Sequence, residues 1–82
     1  MVERKTTMRQ LRERANLTQE ELARKLGLTV SSISKWDQER TFPKLMPIEM
    51  ANLMEILSCT LDELKEAQSN WITKNTKEKE ND

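Results

Sequence analysis

The chain has 82 residues, enough for one small domain, and its composition narrows the possible functions. It contains no histidine and a single glycine. Histidine-based catalytic or metal clusters and a glycine-rich phosphate loop are thereby excluded, so we expect neither an enzyme nor a bound cofactor or metal.

The charges are unevenly distributed along the chain. Ten basic and six acidic residues lie up to Lys44, and four basic and eight acidic residues follow it. Although the net charge is zero, the first half of the chain is basic and the second half is acidic. The basic half is suited to binding nucleic acid, or the two halves are simply ordinary solvated surfaces.

The first helix is predicted to follow a short polar arm at residues 1–6. Thr7 can serve as its N-cap. Apolar side chains then recur at helical spacing, at Met8, Leu11 and Ala15. Asn16 tolerates the left-handed backbone that ends a helix. We expect the folded domain to occupy residues 7–73.

Two further helices are predicted in the segment Gln19–Asp37, QEELARKLGLTVSSISKWD. Thr18 and Glu21 form a capping box at the start of helix 2. Gly27 can adopt the positive φ that ends this helix near Leu26 and redirects the chain.

Helix 3 should begin at the cap Thr29 and end near Asp37. Side chains at helical spacing predict the inner faces of the pair: Leu22, Ala23, Leu26, Ile33 and Trp36. Ala23 is small where the two helices cross, which is the layout of a helix-turn-helix. With small and polar residues on the outer face of helix 3, this pattern indicates a DNA reader.

A loop and a fourth helix follow. Pro47 suits the first turn of helix 4, and Phe42 is predicted to fill the core below the loop rather than to wedge between bases. The expected inner face of helix 4 is Ile48, Ala51, Met54 or Ile56, and Leu57. The methionines are interpreted as core filler or a soft interface: Met8, Met46, Met50 and Met54.

Helix 5 is predicted to begin with a second capping box, Thr60 with Glu63. Leu61 and Leu64 should point inward, and the spacing extends the helix to about Trp71 or Ile72. These last two side chains either pack on the domain or form a dimer contact. The polar segment 74–82 is interpreted as a disordered tail.

Cys59 is the only cysteine, so no disulfide can form within the chain. It is flanked closely by Leu57 and Leu61, which favours a buried structural thiol. No apolar run is long enough to span a membrane and no signal-peptide pattern is present. We therefore expect a cytoplasmic protein.

The run LRERANLTQEELARKLGLTVSSISKWDQE resembles the phage repressor and Cro-type helix-turn-helix family, also called XRE-like. The later LSCTLDEL resembles the end of that family's domain, so the resemblance covers about residues 8–64. It implies an all-α, compact five-helix repressor-like DNA-binding domain, with the helix-turn-helix at helices 2 and 3. The chain departs from the family at Gln38-Glu39 and Ser58, where the family often has Asn-Gly and glycine.

The resemblance implies that helix 3 enters the major groove of double-stranded DNA. The side-chain chemistry fits, because lysine favours guanine, serine accepts many base edges and a valine methyl can pack on thymine. The candidate DNA-binding residues are Thr18, Gln19, Thr29, Val30, Ser31, Ser32, Lys35, Arg40, Thr41 and Lys44. Thr18 is first a cap, and Gln19 should contact a phosphate and brace helix 3.

In the family, an arginine and an acid at the positions of Arg12 and Asp37 form a structural ion pair between helix 1 and the end of helix 3. The expected function is site-specific DNA binding by a small transcriptional repressor, with two copies on half-sites about 34–36 Å apart. Two alternatives remain. One is an antitoxin-like protein whose main partner is a small protein, and the other is a protein-interaction module that kept the fold.

Overall fold

The computed structural model describes the backbone of residues 6–80 and the side chains of residues 6–75. Within this range the chain forms helices and no strands: α1 (Met8–Arg14), α2 (Gln19–Leu26), α3 (Val30–Asp37), α4 (Pro47–Leu57) and α5 (Leu61–Glu80). The all-α, five-helix fold predicted from the sequence is confirmed. Across the described residues, no helix combines the length and apolar character that crossing a bilayer requires.

Threonine side chains begin four of the five helices. Their hydroxyl oxygens accept the backbone N–H three residues later, at Thr7, Thr18, Thr29 and Thr60. In turn, the carboxylates of Glu21 and Glu63 accept a hydrogen bond from the backbone N–H of their capping threonine, each at 2.9 Å. Both predicted capping boxes are therefore present. At α4, Pro47 occupies the first turn, as expected.

The first four helices end in the same way. The residue that closes each helix has a left-handed backbone: Asn16, Gly27, Glu39 and Ser58. The following N–H donates to the carbonyl five residues earlier: Leu17 to Arg12, Leu28 to Ala23, Arg40 to Lys35, and Cys59 to Met54. These are Schellman motifs, which satisfy carbonyls that a helix end leaves unpaired.

The core lies where α2 packs against α3 and α4, and where α1 packs against α3 and α4. Its buried apolar residues are Met8, Leu11, Leu22, Ala23, Ile33, Trp36, Leu53, Leu57, Cys59, Leu64 and Ala67. Trp36 and Cys59 are therefore structural, as predicted. Phe42, Met50 and Met54 are half-buried against this core.

The predicted inner face of α4 was partly wrong. Ile48 is 77% exposed and Ala51 is also exposed, whereas Leu53 is fully buried. Apolar residues occur on several sides of this helix, and packing against α1 and α2 selects the face that contains Leu53 and Leu57. Met46, just before the helix, is 70% exposed and does not fill the core.

The start and end of α5 also differ from expectation. Leu61 is 55% exposed because the first turn of α5 directs Leu64, not Leu61, into the core. The helix continues to Glu80, so residues 74–80, interpreted as disordered, are helical. An ion pair between Lys74 and Glu39, which apolar spacing could not reveal, attaches this extension to the domain. Residues 1–5 of the predicted arm (1–6) and residues 81–82 of the predicted tail lie outside the described residues.

A buried ion pair joins α1 to the end of α3. The Nη2 atom of Arg12 lies 2.7 Å from Oδ2 of Asp37, and Nε contacts the same carboxylate. The two side chains are only 11% and 7% exposed. Arg12 also donates from Nη1 to the carbonyl of Leu17 at 2.6 Å, so its charge is satisfied on two sides.

We predict that Asp37→Ala lowers the free energy of unfolding by about 3–5 kcal/mol, because it leaves the Arg12 guanidinium buried without its counter-ion. The measurement is urea unfolding. Arg9→Ala is the matched control, since it removes an exposed pair with Glu13 that is worth about 0–1 kcal/mol. A loss below about half a kcal/mol for Asp37→Ala would contradict a stabilising role for the buried pair.

A second ion pair, between Arg14 and Glu63, links α1 to the first turn of α5. Nη2 of Arg14 lies 2.9 Å from Oε1 of Glu63, and the same Nη2 reaches the carbonyl of Ser58. The hydrogen bonds from Arg14 and from the N–H of Thr60 lower the pKa of Glu63 from 4.5 to about 2. The partner carboxylate raises the pKa of Arg14.

The lowered pKa predicts a pH-dependent contribution to stability. Since the carboxyl of Glu63 is harder to protonate in the folded state, its contribution is complete above about pH 4.5 and is lost as the pH falls towards 2. The difference in unfolding free energy between wild type and Glu63→Gln should therefore shrink over this interval. Glu66→Gln, an exposed carboxylate on the same helix, is the control. A difference that stays constant down to pH 2 would contradict the assignment.

Candidate nucleic-acid interface

Helix α3 has one buried face and one exposed face. Ile33 is fully buried and Trp36 nearly so. With these two side chains fixed in the core, the opposite side of the helix is turned to solvent. Ser31 and Lys35, four residues apart, lie there and are exposed, and Val30 is exposed beside them in the first turn of the helix. The burial of one side of α3 thus determines which side chains a ligand can reach.

Two hydroxyl groups at the start of α3 are partly occupied by each other. The Thr29 hydroxyl accepts the N–H of Ser32, and the two side-chain oxygens lie 3.1 Å apart. Ser32 is half-buried, whereas Ser31 is exposed. Of the serines predicted at this face, Ser31 is the one more open to a ligand.

Two polar residues on the exposed face were not predicted from the sequence. Ser34 and Gln38 lie three and seven positions after Ser31, which is helical spacing, and Nε2 of Gln38 donates to Oγ of Ser34 at 2.9 Å. Gln38 is exposed and carries an amide that can both donate and accept. The repeat of polar residues at this spacing was the signal that could have identified it.

Gln19, at the first position of α2, contacts the buried ion pair. Its Nε2 atom donates to Oδ2 of Asp37 at 2.8 Å. The carboxylate of Asp37 therefore joins α1 through Arg12, α2 through Gln19 and α3 through its own backbone. Gln19 thus braces the end of α3, and its amide retains a second N–H for another acceptor.

The loop after α3 begins close to the exposed face. The N–H groups of Arg40 and Thr41 both point to the carbonyl of Lys35, at 3.0 and 3.5 Å. Arg40, Thr41 and Lys44 are exposed, whereas Pro43 between them is buried. The loop therefore presents polar and basic side chains while its middle is anchored in the domain.

The exposed groups of α3 and of the loop that follows it are of several chemical kinds. The face of α3 offers hydroxyl, amide, ammonium and small apolar groups, and the loop offers basic side chains. Among the described residues, no group of three or more Cys, Asp or Glu side chains could hold a metal ion. The polar and basic groups on α3 and the loop are of the kinds that contact phosphates and base edges.

The helix-turn-helix segment is similar in sequence to known proteins. The sequence profile of the family described as helix-turn-helix matches residues 8–36. The chain is also similar to the HTH-type transcriptional activator BcrR of Enterococcus faecalis, at 37% identity over 57 residues. That alignment covers 70% of this chain and 27% of the relative, so the chain spans about a quarter of the length of the curated protein it matches. No solved structure gives a significant match.

The matched segment starts at the first residue of α1 and ends at Trp36, one residue before the end of α3. It contains the capped start of α2, the left-handed Gly27 and the buried Ile33 that define the bend between the two helices. Residues 8–36 belong to the XRE-type helix-turn-helix family, as the motif predicted.

Proposed function

We propose that this protein binds double-stranded DNA site-specifically through α3 and regulates transcription, most simply as a repressor that occupies a promoter. The observation that carries the proposal is the orientation of α3. Ile33 and Trp36 hold one side in the core, Ser31 and Lys35 lie on the opposite side, and Val30 is exposed in the first turn. A helix of this kind fits the major groove, where its outer side chains reach base edges.

The proposal divides the candidate residues into two groups by chemistry and position. Val30, Ser31 and Lys35 read bases, because all three side chains are exposed on α3. Gln19 and the basic loop contact phosphates: Nε2 of Gln19 keeps one N–H after bonding Asp37, and Arg40 and Lys44 extend into solvent. Thr18 and Thr29 are first of all helix caps.

Two copies are proposed to bind together on DNA. A single small helix-turn-helix module offers a limited contact area, and a second copy on a half-site about one helical turn away, roughly 34–36 Å, increases affinity through avidity. The base readers are short or flexible, so part of the specificity is proposed to come from DNA shape. Selection of bound sequences from random duplex DNA would test the binding of two copies, the spacing of the half-sites and the contribution of DNA shape.

The direction of regulation is the finest part of the proposal. BcrR, the similar protein, is described as an activator. Occupation of a promoter by a small domain blocks polymerase without further contacts, which is why repression is proposed here. A reporter promoter that contains the selected site would decide: reduced transcription supports repression, and increased transcription supports activation.

A protein-interaction role is the second candidate, in either the antitoxin-like or the adaptor form. The exposed apolar side chains of Met46 and Ile48 favour it, since two large apolar groups on one short segment suit a protein surface. A co-purifying small protein, together with no salt-sensitive retention on duplex DNA, would support this candidate over DNA binding.

We predict different effects for two lysine substitutions. Lys35→Ala should cost about 1–3 kcal/mol on the best site and flatten discrimination at one base pair, because it removes a base contact. Lys44→Ala should weaken binding to all sequences alike and reduce the salt slope by about one unit, because it removes a phosphate contact. Titrations at several salt concentrations, on the selected site and on scrambled duplex, measure both effects.

Lys65→Ala is the matched control, since Lys65 is an exposed lysine on α5 within the acidic half of the chain. It should leave affinity and salt slope unchanged. Equal weakening of both duplexes by Lys35→Ala would show that Lys35 does not read bases and that the proposed docking of α3 is wrong.

A further inference from the structure

The turn after α3 differs from the other three Schellman turns. In those, the residue after the left-handed position is apolar: Leu17, Leu28 and Cys59. After α3 it is Arg40, which is exposed. An apolar contact from this position commonly accompanies a Schellman motif. The α3 turn lacks that contact, although it also places Glu39, a non-glycine residue, at φ 61°.

Helix α5 holds this turn from outside. Nε1 of Trp71 donates to the carbonyl oxygen of Glu39 at 3.0 Å, and Nζ of Lys74 lies 3.2 Å from Oε1 of the same residue. The ring of Trp71 also packs on Phe42, three residues farther along the loop, with centroids 5.8 Å apart. We call these contacts of Trp71 and Lys74 with Glu39 and Phe42 the α5 clasp.

The α5 clasp contacts both the backbone and the side chain of Glu39, the residue at which the chain changes direction. It bonds the backbone of Glu39 through one side chain and the carboxylate through another, and the two donors lie one turn apart on α5. Relaxation of Glu39 to negative φ would redirect the chain after α3. The bond from the N–H of Arg40 to the carbonyl of Lys35 would then be lost.

We propose that Trp71 and Lys74 are positioning residues for DNA affinity: the α5 clasp fixes the turn that carries Arg40, Thr41 and Lys44 to the phosphate backbone. This inference rests on the proposed DNA binding and extends it to residues remote in sequence from the helix-turn-helix. The clasp residues touch no DNA themselves. They act through the direction of the loop, so their loss weakens binding to every sequence equally.

The test uses two conservative changes in the full chain. Trp71→Phe removes the indole N–H but keeps an aromatic ring against Phe42, and Lys74→Gln removes the charge that faces Glu39. Lys74→Arg, which can retain the ion pair, and Ile72→Ala, an exposed neighbour on α5, are the controls. Each variant is titrated with the selected and a scrambled duplex at several salt concentrations, and urea unfolding establishes that it is folded.

The double variant should raise Kd about five- to tenfold on both duplexes, which is the scale of one hydrogen bond and one exposed ion pair. The salt slope should fall by about one unit, because a phosphate contact is lost. A purely structural role would not change this slope in a folded variant. Both controls should bind like the wild type.

Amide hydrogen exchange in the free protein tests the clasp without DNA. The amides of Arg40 and Thr41 should exchange faster in the double variant, while that of Ile33 in the middle of α3 should not change. Should the double variant prove unfolded without urea, Trp71→Phe alone carries the test, with an expected increase in Kd of about threefold.

Two results would overturn the inference, and they are distinguishable. A folded clasp variant with unchanged affinity and salt slope overturns it even if its amides exchange faster, because the turn then does not govern DNA contact. A wild-type protein that binds neither duplex overturns the proposed function, and this inference with it, before any variant is compared.

Discussion

The carboxylate of Asp37 receives hydrogen bonds from two other helices, and the relative positions of the first three helices depend on it. Arg12 of α1 and Gln19 of α2 both donate to this one group at the end of α3. Burying a charge is costly unless every polar atom is paired. Arg12 meets that condition through its additional bond to Leu17, and no buried side-chain N or O atom among the described residues lacks a partner. The result is a rigid base for the exposed face of α3.

The same arrangement explains how a small core can hold an exposed helix in a defined orientation. On one side, Ile33 and Trp36 attach α3 to the core. At its end, a charge network fixes the last residue, and immediately beyond it α5 contacts the turn through Trp71. Apolar burial gives most of the stability. Because it is not directional, the polar contacts set the rotation and the end point of the helix.

The features that the sequence predicted well are local. A threonine and a glutamate three residues apart lie within one helical turn, so the capping boxes at Thr18 and Thr60 could be identified without any tertiary information. The left-handed positions at Asn16 and Gly27 are local for the same reason. The bend between α2 and α3, and hence the position of the exposed face, follows from these signals.

The features that the sequence predicted poorly depend on contacts between distant residues. The orientation of α4 could not be deduced because Ile48 and Leu53 are equally apolar, and only packing distinguishes the side that is buried. The contact that attaches the last part of α5 to the domain joins Lys74 and Glu39, which are 35 residues apart. At the candidate interface, the residue types were identifiable, but the mutual bond that occupies Thr29 and Ser32 is visible only in three dimensions.

Four left-handed turns close the first four helices, yet only the one at Gly27 uses glycine. A non-glycine residue in this conformation costs the folded state of order 1 kcal/mol, somewhat less for asparagine. Ser58 is the clearest case, because its side chain is exposed and the bond it provides to Arg14 comes from its backbone carbonyl. A single replacement by glycine at such a turn would therefore raise the free energy of unfolding, and this possible gain is a reserve of stability. Such a reserve would let the outer face of α3 accept destabilising changes during selection for a new DNA sequence, since compensation can arise at a turn that takes no part in recognition.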